Sequence, residues 1–357
     1  MNERISAIKT LLDCYLPKDL LDEIVDISDM NEEELDNAIS DNYRSILGKT
    51  WRSYRNGNVY VDIDLETGSK IRSCDDIIQC PDFPESLDIC ISNKCSHNCE
   101  FCYAGCTPEG RDADLESYYY LIDQLHPFTE IAVNINHRQE SFIPFLEHCN
   151  RRNIIVNVTM NQDFFMDPKN KLYIDKICGR FGPKVHGIGL SVTLSGMPSF
   201  VEQIHSYEKT FGVNFVLHFV LGITNWKDIK YLMYKDLKAL FLGYKVSGRG
   251  YGYFSYRADE IRDNMEFMSN HITDIIDKGL FSVVSFDNLA IEQLSLRDKM
   301  DPDLFSDVFQ GEDGTSSFYI DLVNDEYALN SFTDQKFLIK EGDDIKSMFQ
   351  QIRSVMN

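Results

Sequence analysis

The sequence is short of positive charge and has no long apolar run. Its 357 residues carry 35 Lys and Arg against 57 Asp and Glu, a formal net charge of −22. That deficit argues against bulk nucleic acid as a partner, because neutralising phosphates needs clustered Lys and Arg; a single nucleotide held by one or two bases stays open. Nowhere do eighteen consecutive apolar residues occur, so no helix is expected to span a membrane. The N-terminal text MNERISAIKT lacks the apolar stretch and small-residue cleavage site of a secretory signal. A soluble, cytoplasmic protein is expected. Cysteine is sparse, ten residues with none after Cys178. In a reducing compartment, clustered cysteines point to metal ligands or catalysis rather than to disulfides.

What is present is organised in segments. Apolar residues make up 43% of the chain, ample for a sizeable core. Residues 1–50 hold twelve acids against five bases and read as an acidic helical segment, with Asn31 before Glu32-Glu33-Glu34 as an N-cap followed by first-turn carboxylates. Residues 51–85 contain two alternating runs and the turn signals Asn56-Gly57-Asn58 and Thr67-Gly68, which predict a small hairpin sheet. From 86 the pattern changes to short β-branched runs separated by amphipathic segments: SLDICIS, EIAVNIN, IIVNVTM, HGIGLSVTL, NFVLHFVLGI and KALFLGYKV. Six such repeats predict an α/β fold over 86–280, a parallel sheet with helices outside it, either open and doubly wound or part of a (β/α) barrel. Residues 281–357, fifteen acids against six bases, show a hairpin signal around Asn324-Asp325 and read as a small α+β extension.

No dinucleotide fingerprint of glycines follows the first of these strands. The stretch CSHNCEFCYAGC, Cys95 to Cys106, stands there instead. It falls at the C-terminal end of the strand, where ligands sit in either architecture. Thiolates suit zinc or iron–sulfur clusters. A closed zinc site would use four thiolates, or three and His97, although no second pair of ligands is evident. A ferredoxin-like run has a similar spacing except in its first gap. Three thiolates on a four-iron cluster would leave one iron open.

The spacing Cys95-x3-Cys99-x2-Cys102, with Phe101 before the last thiol and strand–helix repeats after it, resembles the signature of the radical S-adenosylmethionine (radical SAM) enzymes. The flanking SLDICISNKC, CYAGCTPEGRDADLE and GYKVSGRG look most like a group of these found in bacteriophages and prophages, which would put the protein in a host cytoplasm. The resemblance implies a partial (β/α)6 TIM-type barrel. It also implies a [4Fe-4S] cluster on Cys95, Cys99 and Cys102, with S-adenosylmethionine chelating the fourth iron. One electron from a flavodoxin- or ferredoxin-like donor would then cleave S-adenosylmethionine to methionine and a 5′-deoxyadenosyl radical, which abstracts hydrogen from a substrate: peptide, metabolite or nucleotide. The alternative is a non-catalytic iron–sulfur or zinc-binding sensor or scaffold.

The resemblance further nominates cofactor contacts. Phe101 belongs to the signature itself. The family's glycine turn after strand two is replaced by Asn134-Ile135-Asn136-His137, where Asn134 or Asn136 either offers a side-chain acceptor or ends the strand. Ser191, which shares a strand face with Thr193 and Ser195, and Gly222 after strand five are further candidates. GYKVSGRGYGYFSYR, 243–257, combines glycines, aromatics, Lys245 and Arg249, and reads as a cofactor or substrate lining. His218 reads as a core histidine, and Cys74, Cys80, Cys90 and Cys106 as structural. A tail without cysteines implies a single cluster.

Overall fold

A computed structural model describes residues 50–65, 68–74, 79–181, 187–193, 198–309, 312–340 and 342–356. The acidic helical segment expected over 1–50 lies almost entirely outside the described residues, and so does Ser195. The chain divides into two units, 1–82 and 83–357.

In the first unit, β1 (Trp51–Asn56), β2 (Val59–Asp64) and β3 (Lys70–Cys74) form an antiparallel three-stranded sheet. Asn56 pairs with Val59, so Gly57 and Asn58 make the connection, and Gly57 takes the left-handed φ of +63° such a turn needs. Val59, Val61 and Ile63 alternate inward and are buried. The side-chain carbonyls of Asn56 and Asn58 accept from the backbone N–H groups of Asp82 (2.8 Å) and Cys80 (2.6 Å).

The second unit runs β4 (Ser86–Cys90), α1 (Tyr119–Ile122), β5 (Glu130–Asn134), α2 (Phe142–Arg151), β6 (Ile155–Asn161), α3 (Gln162–Met166), α4 (Lys171–Phe181), β7 (Gly187–Ser191), α5 (Pro198–Phe211), β8 (Asn214–Val220), α6 (Trp226–Leu232), β9 (Lys238–Leu242) and α7 (Arg249–Asp277). It continues with β10 (Val283–Phe286), α8 (Asn288–Gln293), α9 (Pro302–Val308), β11 (Ser317–Asp321), β12 (Glu326–Ala328), β13 (Lys336–Leu338) and α10 (Ile345–Met356). The strands make one sheet in the order β10-β9-β8-β7-β6-β5-β4-β11-β12-β13. Strands β4 to β10 are parallel to their neighbours, and β11 is parallel to β4.

Two features add to the sequence reading. The tail expected as an extension from 281 contributes to this same sheet at both ends: β10 continues it beside β9, and β11 to β13 extend it beyond β4. The hairpin around Asn324-Asp325 is β11–β12, with Asp321 opposite Glu326. The glycine-aromatic stretch 243–257, read as a cofactor or substrate lining, turns helical at Arg249, where α7 begins after Gly248 at φ +54°. Two glycines in the first turns cost a helix about 1 kcal/mol each, and the packing described below overrides that cost.

Alternation along the strands gives the sheet one covered face and one accessible face. Leu87, Ile89, Ile131, Val133, Val156, Val158, Ile188, Leu190, Phe215, Leu217, Phe219, Ala239 and Phe241 are buried in a core with the helices. Their strand neighbours Asp88 and Asn134 are exposed, and Cys90, Ala132, Thr159, Ser191, Val216 and Leu240 are half-buried. His218 lies on this second face and is itself buried. A Cβ on Gly189 would fall 2.3 Å from its Cε1, so the missing side chain is what makes room for the ring.

Burial pulls the His218 pKa down to about 4. The unfolded chain titrates near the usual value, so between the two the unfolded state binds more protons and stability must fall as pH drops. Stability is expected to decline between about pH 6.5 and 4 by on the order of 3 kcal/mol from this residue. Urea denaturation of wild type and His218→Gln across that window checks it: the variant should lose most of the slope.

Candidate functional site

The cysteine loop leaves the C-terminal end of β4 through a braced neck. Ser92 Oγ donates to Asp112 (2.6 Å) and accepts from the Lys94 N–H (3.0 Å). Asn93 exchanges backbone bonds with Arg111 and Thr107, and its side chain accepts from the Arg111 N–H (2.6 Å). Cys95 N–H donates to Thr107 O (2.8 Å). Asn98 (φ +46°) and Gly105 (φ +65°) supply the left-handed positions that let the loop turn back.

The opposite side is held by the Ser247–Gly250 segment. Arg249 donates its backbone N–H to Cys102 O (3.1 Å), Nε to Cys99 O (2.9 Å) and Nη2 to Cys106 O (2.8 Å). Ser247 Oγ donates to Tyr103 O (3.3 Å). A Cβ on Gly248 would lie 2.2 Å from Tyr103 O, and one on Gly250 2.6 Å from Lys245 O and 3.3 Å from Phe101 O. Glycine is used here because the helix start and the loop backbone touch.

Cys95, Cys99, Cys102 and Cys106 are free and half-buried. Burial raises the Cys99 pKa, and the neighbouring Cys102 and Cys95 thiols raise it further. Cys102 is lowered, first by a hydrogen bond from the Cys106 thiol, with help from the N–H groups of Cys106 and Ala104 and from Arg249; Cys106 rises in consequence. Negative charge therefore settles on Cys102. Among the described residues no three His, Cys, Asp or Glu gather as ligands of one ion. Thiolates sharing one tetrahedral zinc lie about 4 Å apart. Soft thiolates gathered in one loop are donors of the kind that suit zinc or an iron–sulfur cluster.

Beside the loop lies a cavity of about 270 Å³ at the C-terminal strand ends. Its lining comprises His97, Cys99 and Phe101 from the loop, Asn161 and Asp163 after β6, Val192 and Thr193 after β7, and Ile223, Thr224, Asn225 and Asp228 after β8. Two lining residues carry a buried polar atom without a hydrogen-bond partner among the described residues, His97 Nε2 and Asp228 Oδ1. The other Asp228 oxygen accepts from Asn225 Nδ2 (2.9 Å), and His97 Nδ1 is 3.8 Å from Asp163. Unsatisfied buried groups cost roughly 1–3 kcal/mol each, which marks the cavity as built for a polar ligand.

Of the nominated residues the cavity gathers Cys99 and Phe101, the latter edge-on to Tyr253 at 6.0 Å. Cys95 and Cys102 stand in the same loop. Asn134 and Ser191 share the accessible sheet face, Ser191 opposite His218. Asn136 spends its side-chain carbonyl on the Asn161 N–H (2.9 Å), and His137 Nε2 is 2.9 Å from Asp112. Gly222, at φ +75°, is buried where a Cβ would meet Ile261 at 2.6 Å, and the cavity begins with Ile223, the next residue. Lys245 donates to Ser331 Oγ (3.3 Å) and sits over the Tyr103 ring. Arg249 braces the loop. The sequence reading weighed His97 only as a zinc ligand and missed Asn161, Asp163, Asn225 and Asp228. A signal existed: Asn161 and Asn225 cap α3 and α6, accepting from the N–H groups of Asp163 and Asp228. An Asn followed by Asp at a strand's end therefore marks a helix start on the ligand side.

No family model matches the chain, and no curated protein matches it. Solved structures share its fold. SuiB of Streptococcus suis bound to S-adenosylmethionine aligns with TM-score 0.59 at 10% identity, covering 86% of this chain and 90% of that one. SuiB without a stated ligand gives 0.56 at 10%, covering 85% and 87%. SuiB bound to precursor peptide SuiA gives 0.54 at 12%, covering 75% and 65%. At such identities the likeness is one of fold, a mixed α/β architecture with a large parallel sheet. Among the described residues no helix is long and apolar enough to cross a membrane.

Replacing Arg249 by Gln removes two charge-assisted bonds to the loop, roughly 2–4 kcal/mol of local stability, and should raise alkylation of Cys95, Cys99 and Cys102 about 30-fold or more in unloaded protein. Peptide mass spectrometry after timed iodoacetamide treatment measures it; unchanged rates would mean that the clamp does not hold the loop.

Proposed function

We propose that this chain is a radical S-adenosylmethionine enzyme acting on a peptide. The observation that carries the reading is the Cys95-x3-Cys99-x2-Cys102 loop at the C-terminal end of the first parallel strand, opening onto a cavity with two unpartnered polar atoms. The fold it shares with SuiB, a protein seen with S-adenosylmethionine and with a precursor peptide, supports both cofactor and substrate class. On this reading β4 to β9 are the partial (β/α)6 barrel of a core over 86–280, the segments 1–50, 51–85 and 281–357 flank it, and the enzyme works in the cytoplasm with a flavodoxin- or ferredoxin-like electron donor. The likeness to phage and prophage proteins rests on the quoted sequence alone.

Cys95, Cys99 and Cys102 would hold a [4Fe-4S] cluster. With S-adenosylmethionine and one electron, that group supplies a 5′-deoxyadenosyl radical able to abstract a substrate hydrogen. The chain's own residues do the rest. Arg249 and the Ser92–Asp112 neck fix the separation of the thiols. Phe101, Val192 and Ile223 give the cavity apolar wall suited to a planar ring. Asp228 Oδ1 offers an acceptor to a hydroxyl or amine, and His97 Nε2 a second polar contact. Asn134 and Ser191 stand on the accessible face, within the path a substrate would take across it.

A second reading has one observation in its favour. Residues 134–137 hold no glycine, and the Asn136 carbonyl is already engaged, so a cluster protein without cleavage activity is the rival. Anaerobic reconstitution with iron and sulfide, then dithionite and S-adenosylmethionine, separates them. Wild type is expected to yield 5′-deoxyadenosine and Cys99→Ala none, with Asp228→Ala needing about tenfold more S-adenosylmethionine for half-maximal rate. Cluster without product in wild type would favour the rival; equal product from wild type and Cys99→Ala would reject the enzyme.

A further inference from the structure

A core histidine is expected to have its ring nitrogens bonded, and His218 does not. It stands in β8 on the accessible sheet face, only 9% exposed, and its Nδ1 is buried with no hydrogen-bond partner among the described residues. Nε2 has no partner among them either, but it is not sealed off as Nδ1 is. Gly189 of β7 shows which way the ring lies. A Cβ there would fall 2.3 Å from Cε1 and 2.4 Å from Nε2, against 3.1 Å from Nδ1. The Cε1–Nε2 edge therefore lies over the bare backbone of the next strand. Packing alone does not call for this arrangement: an aliphatic side chain would occupy the space without stranding a polar atom, and glycine inside a strand weakens it.

The groups around that edge are polar and equally unengaged. Strand register places Ser191 opposite His218, Thr159 of β6 opposite Gly189, and Asn134 of β5 opposite Thr159. Ser191 and Thr159 are half-buried and Asn134 is exposed. The side chains of all three make no hydrogen bond among the described residues. This strip adjoins the cavity, since Asn161, in register with Ser191, and Val192 and Thr193, which follow Ser191, belong to the cavity wall. The ring's hydrogen can also be placed. Burial pulls the His218 pKa down to about 4, so the imidazole is neutral at pH 7 and carries one N–H. A buried N–H without an acceptor is rarer in folded proteins than a buried lone pair without a donor, which puts the hydrogen on Nε2.

We propose that His218 donates Nε2–H to an amide carbonyl of the substrate, held on the accessible sheet face over Gly189 with the Ser191 and Thr159 hydroxyls beside it. The inference deepens the peptide-modifying reading and rests on it for the substrate class. A peptide group offers one acceptor and one donor. The imidazole meets the first, and a hydroxyl, which can accept as well as donate, meets the second.

The test needs neither cluster nor S-adenosylmethionine, so it stands apart from the 5′-deoxyadenosine assay. The unloaded full chain, labelled with nitrogen-15 histidine, is observed at pH 7 by long-range proton–nitrogen correlation, alone and with N-acetyl-trialanine amide. The His218 signals are those absent from His218→Leu or, should that variant not fold, those that titrate lowest. They should show the neutral tautomer with hydrogen on Nε2. The peptide should shift Nε2 to saturation while His148, which is engaged by Asp123, stays in place. Saturation-transfer NMR should find the peptide bound to His218→Leu at least about tenfold more weakly than to wild type. A hydrogen on Nδ1, an Nε2 signal unmoved by the peptide, or undiminished binding to His218→Leu each overturns the proposal. If His218→Leu does not fold, the wild-type spectra decide.

Discussion

The grip of Arg249 on the cysteine loop is the constraint on which the rest of the site depends. A loop of twelve residues with four thiols has no core of its own, and its backbone carbonyls would otherwise turn to solvent. One side chain collects two of them, Cys99 O and Cys106 O, while its own N–H takes the carbonyl of Cys102. These contacts span the thiols that define the site. They also tie the loop to the first turn of α7, so its position is set by that helix and by the neck at Ser92 together. Charge-assisted bonds of this kind are among the stronger polar ties available to a protein, and a lysine, with its single point charge, could not reach both carbonyls in one plane.

The sheet supplies the second constraint. Parallel sheets are ordinarily covered on both faces, which demands apolar side chains in both directions. Here only one set of alternate residues meets that demand. The other set is mixed: beside Val216 and Leu240 it includes Asp88, Asn134, Thr159, Gly189, Ser191 and His218. A face of that composition cannot hold a layer of helices, because each polar group would need a partner on burial. It is suited to water, cofactor or substrate. The loop and the cavity stand at the C-terminal edge of this face, where strand-to-helix turns gather side chains from separate parts of the chain.

Much of this was legible in the sequence. The six apolar runs from 86 to 246 mark β4 to β9, and the cysteine spacing locates the loop at the end of the first. The short strands β10 and β11 were read as parts of an extension because alternation reveals a strand but not its neighbour; pairing with β9 and β4 is decided by where the chain returns. The start of α7 was hidden by Gly248, Gly250 and Gly252, residues that disfavour a helix locally but are required by contact with the loop backbone. Lys245 and Arg249 were expected to meet a ligand on the strength of their charge. Charge says that a partner exists without saying which, and for the Arg249 guanidinium the partners are two carbonyls of its own chain. The cavity residues Asp163 and Asp228 escaped for a related reason: they look like ordinary first-turn helix acids, and only assembly brings them together with His97.

The pairing of β11 with β4 carries a consequence for how the protein is made. Ser317 lies opposite Ser86, so the strand bearing the cysteine loop finds this neighbour more than two hundred residues later. During synthesis from the N-terminus, the ribosome releases β5 to β10 first, and β4 meanwhile presents a bare margin of backbone donors and acceptors. Such a margin is an invitation to foreign strands, and contacts of this sequence separation form slowly. Sealing it falls to the last part of the chain. The centre of the sheet is thus finished after its flank, and a nascent chain halted before Ser317 would carry the whole thiol loop on an unsealed strand.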